Sequence, residues 1–191
     1  MRMTRLRSLA ALVLAVLVLT TAGCGDETAK APTKPFNQAD TTFVLDAGTH
    51  LGRMVTAART ATERASDPRL RRLARTIVKT QGTQADSIAG WLNSWGDQGA
   101  PFGHGDVPHD DAPSTGAGFT DESITRLTTL PRAKFDQLFA RLLLQHLNAG
   151  RTIWQTEIAD GRHAGAVKLA RTALKQQSGQ REVAERQVNR Q

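Results

Sequence analysis

Two histidines of this sequence fall on the core face of predicted helical runs, and the run around His146 is apolar almost throughout. His146 stands in the segment LLLQHLNAG and His50 in the segment THLGRM. An imidazole in such a run can serve as a metal ligand, as a general acid or base, or as a buried polar group whose hydrogen bonds a neighbour satisfies. Because both histidines fall on the core face of their segments, the structural role competes directly with the two chemical roles.

A second group of candidate ligands stands in the glycine- and proline-rich stretch between residues 97 and 119. The candidates, within HGDVPHDD, are His104, Asp106, His109, Asp110 and Asp111. Imidazole and carboxylate groups at this density can bind a divalent ion. Their spacing matches no zinc signature, and a flexible loop must become ordered on binding, so a solvated polar tract is the competing interpretation.

Motifs that would support an enzymatic mechanism are absent from the sequence. There is no tyrosine, and no G-x-S-x-G, H-E-x-x-H or phosphate-binding glycine loop occurs. A di-iron centre of the ferritin type needs Glu-x-x-His at core-facing positions, and the sequence has none. We therefore expect a protein that is not an enzyme, and we interpret His163, at the start of a helix, as a solvent-facing turn residue.

The N-terminal segment MRMTRLRSLAALVLAVLVLTTAGC indicates export. Three arginines precede an apolar run of 11 residues, Leu9 to Leu19, which is shorter than a membrane span needs. Small residues then lead to Cys24, the only cysteine, as in a bacterial lipoprotein signal whose cysteine is diacylated. We expect residues 1–23 to be a signal peptide, and a lipid on Cys24 to hold the protein on the outer face of the cytoplasmic membrane. Ordinary secretion with a free thiol is the alternative.

Basic side chains exceed acidic ones only mildly once the signal peptide is set aside, by 22 to 18. Several crowd one helix, at Arg69, Arg71, Arg72, Arg75 and Lys79, as they do in some nucleic-acid-binding proteins. On an exported protein beside anionic lipid, a solvated helix face is the simpler interpretation, so no nucleic-acid partner is expected. The expected contacts are the membrane, through the lipid anchor, and an unidentified protein of the cell envelope.

Apolar residues at steps of three and four predict helices on both sides of the central loop. In the first region a core face starts at Phe43, and Asp67 followed by Pro68 marks the N-cap and first turn of a returning helix. Residues 38–96 are therefore predicted to form a helical hairpin. A polar, proline-containing tether over residues 24–37 precedes it.

The second region repeats the first at an offset of 96 residues without a gap, so that Phe43 pairs with Phe139 and His50 with His146. A duplicated hairpin predicts an all-α four-helix bundle, since one hairpin alone cannot bury its apolar face. The expected domain covers residues 38–191 and consists of the first hairpin, an irregular loop over residues 97–119, and a short helix with the second hairpin over residues 120–191.

The duplication also predicts a polar layer inside the bundle. Counting from the turns places each histidine level with glutamines on the returning helix of its own hairpin, namely His50 with Gln81 and Gln84, and His146 with Gln177 and Gln180. These side chains can satisfy one another's hydrogen bonds. We expect His146 to face Gln177.

The two halves resemble the ferritin-like DUF305 family, a domain of unknown function. Its hairpins carry F-x-x-x-M-x-x-H-H-x-x-A-x-x-M-A followed by L-A-x-x-I-x-x-x-Q-x-x-E-I-x-x-M-x-x-W-L. The residues that match are Phe43, His50, Ala58, Leu73, Ala74, Ile77, Gln81, Trp91 and Leu92 in the first half, and Phe139, His146, Leu169, Ala170 and Gln177 in the second. The resemblance covers residues 40–190. It implies an exported bundle and, as in some members, copper or silver binding through histidines, methionines and carboxylates.

Most of the ligand positions that the resemblance implies are not kept. The second histidine of each pair is Leu51 or Leu147, and the later carboxylate is Gln84 or Gln180. The methionine positions hold Ala47, Ala57, Ile88, Leu143, Ile153 and Ala184. Amides are poor ligands for transition metals, and aliphatic side chains are not ligands at all.

Four candidate ligands remain around the histidine positions: His50, His146, Met54 one turn beyond His50, and Asp46 one turn before it. Two imidazoles can hold copper or another soft transition metal weakly if the bundle brings them together. The sequence therefore predicts a non-enzymatic binding or structural module of the cell envelope with a decayed metal site. The alternative is an extracytoplasmic copper or other transition-metal protein that keeps a weak histidine site.

Overall fold

A computed structural model describes residues 34–100 and 118–190. Both ranges belong to one compact unit, Lys34–Gln191. The predicted signal peptide, most of the predicted tether and most of the central loop lie outside the described residues. None of the described helices is long and apolar enough to cross a membrane.

Helices account for nearly all of the described chain. They are α1 (Gln38–Arg64), α2 (Pro68–Asp97), α3 (Asp121–Thr129), α4 (Arg132–Ala149), α5 (Arg151–Asp160) and α6 (Ala164–Val188). The first hairpin is α1 with α2, the short leading helix is α3, and the second hairpin is α4 and α5 with α6. The prediction of an all-α helical bundle is confirmed.

Local capping explains where the long helices begin. Asn37 and Asp40 form a capping box at the start of α1, with the Asn37 side chain 3.0 Å from the Asp40 N–H that donates to it. The Asp67 carboxylate accepts from the N–H of Arg69 at 2.6 Å at the start of α2. The α6 helix begins differently, because Nδ1 of His163 accepts from the N–H of Ala166 at 3.2 Å.

His163 is therefore more than the solvent-facing turn residue expected from the sequence. It is half-buried, and its ring lies edge-on to Trp91 and Trp95, with centroids 5.1 Å and 5.0 Å away. The ring packs on the C-terminal end of α2 because the turn of the second hairpin and the end of the first hairpin meet there. Its role is a helix cap within an aromatic cluster.

The long helix expected to lead the second hairpin is interrupted at Gly150, between α4 and α5. A Cβ atom added to Gly150 would lie 2.3 Å from Cε1 of His50, which no real side chain tolerates. The interruption falls where the backbone lies against this imidazole. The equivalent residue of the first hairpin is Met54, and α1 runs through it without a break.

Each hairpin turn is fastened by an aspartate from the other hairpin. The Asp40 carboxylate accepts from the N–H groups of Arg162 and His163 at 3.1 Å and 2.9 Å. The Asp136 carboxylate accepts in the same way from the N–H groups of residues 66 and 67, at 2.9 Å and 2.7 Å. The two sets of contacts are related by the repeat offset of 96 residues, so the duplication includes the contacts between the halves.

Two clusters of buried apolar side chains fill the interior. One surrounds Phe119, Phe135 and Phe139, and the other surrounds Phe43 and Trp154. Aliphatic residues at the implied ligand positions belong to these clusters. Those exposed by only 0–1% are Ala47, Leu51, Ala57, Ile88, Leu143, Leu147 and Ala184. These positions contribute apolar packing.

Candidate functional site

His50 and His146 lie in direct contact inside the bundle. Their imidazole rings are stacked, with centroids 3.7 Å apart and planes inclined by 7°. Only 8% of His50 and 3% of His146 is exposed. Nε2 of His146 lies 3.2 Å from the backbone oxygen of His50, and since a carbonyl oxygen only accepts, this nitrogen carries the proton and donates. The bundle thus brings the two equivalent histidines of the repeat together.

Aromatic rings close the stacked pair on both sides. Trp154 lies edge-on to His50 with ring centroids 5.6 Å apart, and Phe119 is tilted against His146 at 5.2 Å. Phe119 belongs to one apolar cluster and Trp154 to the other. The histidine pair therefore joins the two clusters into a continuous column of rings, a contact type that stabilises buried aromatic groups beyond their area alone.

Two glycines allow the backbone to approach the pair. Gly150 lies against the His50 ring, as described above. Gly118 has a φ of +95°, and a Cβ atom added there would lie 2.6 Å from the Cα of His146. The site is thus bounded by backbone and aromatic surface, which leaves no room at these two points for a further side chain.

Burial keeps both imidazoles neutral. Loss of hydration lowers the pKa of His50 from 6.5 to about 4, and the positive charge of Arg53 adds to the lowering. Burial also lowers the pKa of His146 well below its usual value, and His50 and Arg53 add to this, although the hydrogen bond to the His50 backbone acts in the opposite direction. Neutral imidazole is the form that binds metals, so charge state alone does not exclude a ligand role.

The stacked arrangement does not suit a metal ion bound by both rings. An imidazole lone pair lies in the plane of its ring, and a metal–nitrogen bond is about 2.0 Å long. A point midway between rings stacked at 3.7 Å lies nearly a full bond length out of each plane. A metal there would lie over the nitrogens, away from their lone pairs. The implied metal therefore does not fit the pair as it stands.

The other predicted ligands do not complete a site around the pair. Met54 is buried in the first apolar cluster, and Asp46 is half-buried, with burial raising the pKa of its carboxyl group. Within residues 34–100 and 118–190, no three or more histidine, cysteine, aspartate or glutamate side chains are grouped as a metal site would require. The predicted loop ligands and the lipidation site lie outside the described residues: His104, Asp106, His109, Asp110, Asp111 and Cys24.

The four glutamines form the expected buried layer, but the hydrogen bonds of Gln81, Gln84 and Gln180 go to glutamines of the facing helix and not to the histidines. All four are 6–9% exposed. Gln81 Nε2 donates to Gln180 Oε1 at 3.5 Å, and Gln84 Nε2 donates to Gln176 Oε1 at 3.2 Å. We expected His146 to face Gln177, but its hydrogen bond goes to the His50 backbone. Equivalent helices of the two hairpins pack together, so histidine meets histidine and glutamine meets glutamine.

A buried carboxyl group next to Asp40 was missed by the sequence reasoning. Glu157 on α5 has no exposed surface. Burial raises its pKa to about 8, and the negative charge of the nearby Asp40 carboxylate adds to the rise. Glu157 is therefore mostly protonated at neutral pH. The repeat contains a sign of this burial, because the residue equivalent to Glu157 in the first hairpin is Ala61. A glutamate that takes the place of an alanine on the core face is expected to lie in the core.

Comparison with known proteins agrees with this architecture. The family model described as a domain of unknown function, DUF305, matches residues 40–187, and no curated protein matches the chain. A DUF305 fragment from Deinococcus radiodurans has a similar structure, with a TM-score of 0.68 and 21% identity, over 82% of this chain and 99% of that one.

Two further solved structures share the fold. A DUF305 protein from Streptomyces coelicolor is 24% identical, with a TM-score of 0.64 over 76% of this chain and 89% of that one. CopM in its Cu(I)-bound form is 20% identical, with a TM-score of 0.62 over 77% of this chain and 93% of that one. At these identities the likeness establishes the fold and leaves the chemistry of the site to the residues described above.

Proposed function

The chain belongs to the DUF305 family, and from that premise we propose that it is a non-enzymatic binding or structural module of the bacterial cell envelope. In this proposal the implied metal-ligand positions have become part of the apolar core. The observation that carries it is the stacked histidine pair, whose rings are 3.7 Å apart, while the other implied ligand positions hold leucine, isoleucine, alanine and glutamine.

The proposal places the protein outside the cytoplasm, held by a lipid on Cys24. The basic, apolar and small-residue segments that precede the cysteine support this location. A Cys24→Ser variant is expected to move from the membrane fraction to the soluble exported fraction and to lose incorporation of labelled fatty acid. An unchanged membrane fraction would show that something other than this cysteine holds the protein.

Copper titration tests the proposed loss of the metal site. The mature chain and a His50→Ala/His146→Ala variant are titrated with Cu(I), Cu(II) and Ag(I), and retained metal is measured after dialysis against a weak chelator. We expect the two isotherms to coincide and neither protein to retain stoichiometric metal, because the rings cannot direct their lone pairs at one ion. Circular dichroism of both proteins controls for folding. A His104→Ala/His109→Ala variant measures binding by the central loop separately.

A second candidate function is extracytoplasmic handling of copper or another soft metal by the histidine pair. Two observations favour it: the imidazoles are neutral and already in contact, and CopM, which shares the fold, has been solved in Cu(I)-, Cu(II)- and Ag-bound forms. Under this hypothesis the rings must leave the stack and turn their nitrogens toward one ion. One equivalent of metal retained by the wild type and lost by the His50→Ala/His146→Ala variant would select this function over the first.

A further inference from the structure

Positive charge is concentrated on two of the described helices. α2 carries five cationic and two acidic side chains, and α6 carries five cationic and two acidic side chains, so that each has a formal charge of +3. The formal charges of α1, α3, α4 and α5 add up to zero. The bundle therefore has one basic side, made by the two returning helices of the duplicated hairpins.

Six exposed cations define this side, which we call the basic face. They are Arg72, Arg75 and Lys79 on α2, and Lys168, Arg171 and Lys175 at the equivalent positions on α6. Their spacing of three and four residues puts each set of three along one line of its helix, opposite the buried stripe. None of the six side chains has a hydrogen-bond or ion-pair partner among residues 34–100 and 118–190. The charges are thus available to a partner.

The two sets lie toward opposite ends of the bundle, on two helices that pack against each other. α2 and α6 pack side by side. They run antiparallel, as two contacts show: Gln81 bonds Gln180, while Gln84, further along α2, bonds Gln176, which is earlier on α6. At a rise of about 1.5 Å per residue, the cations extend roughly 30 Å along the bundle, on both sides of the glutamine layer. Such a long array of separate charges is unlike a pocket for one small anion.

We propose that the basic face binds the anionic headgroups of a phospholipid membrane. Lysine and arginine side chains near an anionic surface are attracted individually, and their contributions accumulate over a broad face. The membrane also lies within reach of the fold. Lys34, where the described chain begins, donates through Nζ to the oxygen of Gly99 at 2.7 Å, so the tether joins the bundle at the C-terminal end of α2. The α6 set lies at that same end.

Residues 24–33 number ten, and ten residues of fully extended chain can span up to roughly 36 Å, which lets the basic face rest on a membrane that holds Cys24. The orientation of the bundle on the membrane thus depends on the proposed lipid anchor. Binding of the face to lipid headgroups does not depend on it, and can be measured without the anchor.

Vesicle co-sedimentation tests the inference on the chain from residue 25 onward, which keeps all the described helices and both apolar clusters. The vesicles contain either pure phosphatidylcholine or an equal mixture with phosphatidylglycerol. We expect binding only to the anionic vesicles, falling steeply between 50 and 300 mM salt. Arg72→Gln/Arg75→Gln/Lys79→Gln and the corresponding triple variant of α6 are each expected to lower the partition coefficient at least tenfold.

A matched control removes three exposed cations from outside the basic face, by Arg59→Gln/Lys134→Gln/Arg151→Gln. It has the same net charge as either test variant, and we expect it to lose less than threefold. An equal loss in the control would show that only net charge matters and would overturn the proposed face, as would equal binding to phosphatidylcholine. Displacement of the protein from vesicles by equimolar duplex DNA would assign the face to nucleic acid. None of these outcomes bears on the copper titration or on the Cys24 fractionation.

Discussion

Acid is expected to destabilise the bundle through the stacked histidines, and His50 sets the magnitude. Its pKa falls from 6.5 to about 4 on folding. Because the pKa is lower in the folded chain, the contribution to stability is complete above pH 6.5 and is lost as the pH falls toward 4. Between pH 7.5 and pH 5.0 this amounts to a loss of about 2 kcal/mol from His50 alone. The pKa of His146 is lowered as well, so its contribution has the same sign.

Denaturant unfolding at pH 7.5 and pH 5.0, for the wild type and for His50→Gln, measures this contribution. The free energy of unfolding is obtained at each pH, and the pH-dependent loss of the variant is subtracted from that of the wild type. Groups that titrate identically in both proteins cancel in this comparison, including Glu157. We expect the wild type to lose about 2 kcal/mol more than the variant, equivalent to a shift of about 1 M in the urea midpoint.

Equal pH dependence in the two proteins would refute the reasoning. It would mean that the His50 imidazole is hydrated in the folded protein or paired with an acid, since either situation leaves its pKa near the unfolded value. A larger loss in His50→Gln than in the wild type would also refute it, because the imidazole would then gain stability on protonation. His146→Gln, measured in parallel, reports whether the second ring behaves like the first, as its burial predicts.

Two other predictions concern side chains close to the same core. Because the pKa of Glu157 is raised to about 8, this carboxyl group stabilises the folded chain at acid pH, and the stabilisation is lost as the pH rises from 4.5 to 8. The wild type is therefore expected to lose about 3 kcal/mol of unfolding free energy from this group between pH 5 and pH 8. Glu157→Gln is expected not to show this loss when unfolding is measured at both pH values. Gly150→Ala is expected to cost about 2 kcal/mol or more because its Cβ would meet His50, whereas Gly179→Ala, on α6 with nothing within 4 Å, is expected to gain about 0.5–1 kcal/mol. Equal thermal midpoints for the two glycine variants would contradict the close approach at Gly150.

The all-α architecture was predictable because the duplication and the helix signals agree. Asp67 and Pro68 begin α2 where the sequence places them, and α3 begins one residue after the expected start. The repeat offset also predicts that His50 and His146 occupy equivalent places. These features depend on local chemistry and on periodicity, which a single sequence contains in full.

The partners of the buried polar groups were not predictable in the same way. Counting along a hairpin finds residues at the same level, but it does not tell which helix of the other hairpin packs against them. His146 therefore bonds the backbone of His50 and not Gln177. The reciprocal Asp40 and Asp136 contacts were hidden for the same reason, since each aspartate joins a turn that is more than 65 residues away in the sequence.

The substitutions at the implied ligand positions account for the geometry of the histidine pair. With Leu51 and Leu147 beside the imidazoles, the surroundings offer little to solvate a charged or metal-bound ring. A buried imidazole must still donate its N–H to an acceptor. The N–H of His146 donates to the backbone oxygen of His50. The ring faces are then covered by each other and by Trp154 and Phe119. Apolar packing and the stacked pair are thus one arrangement, and a metal centre here would require changing both.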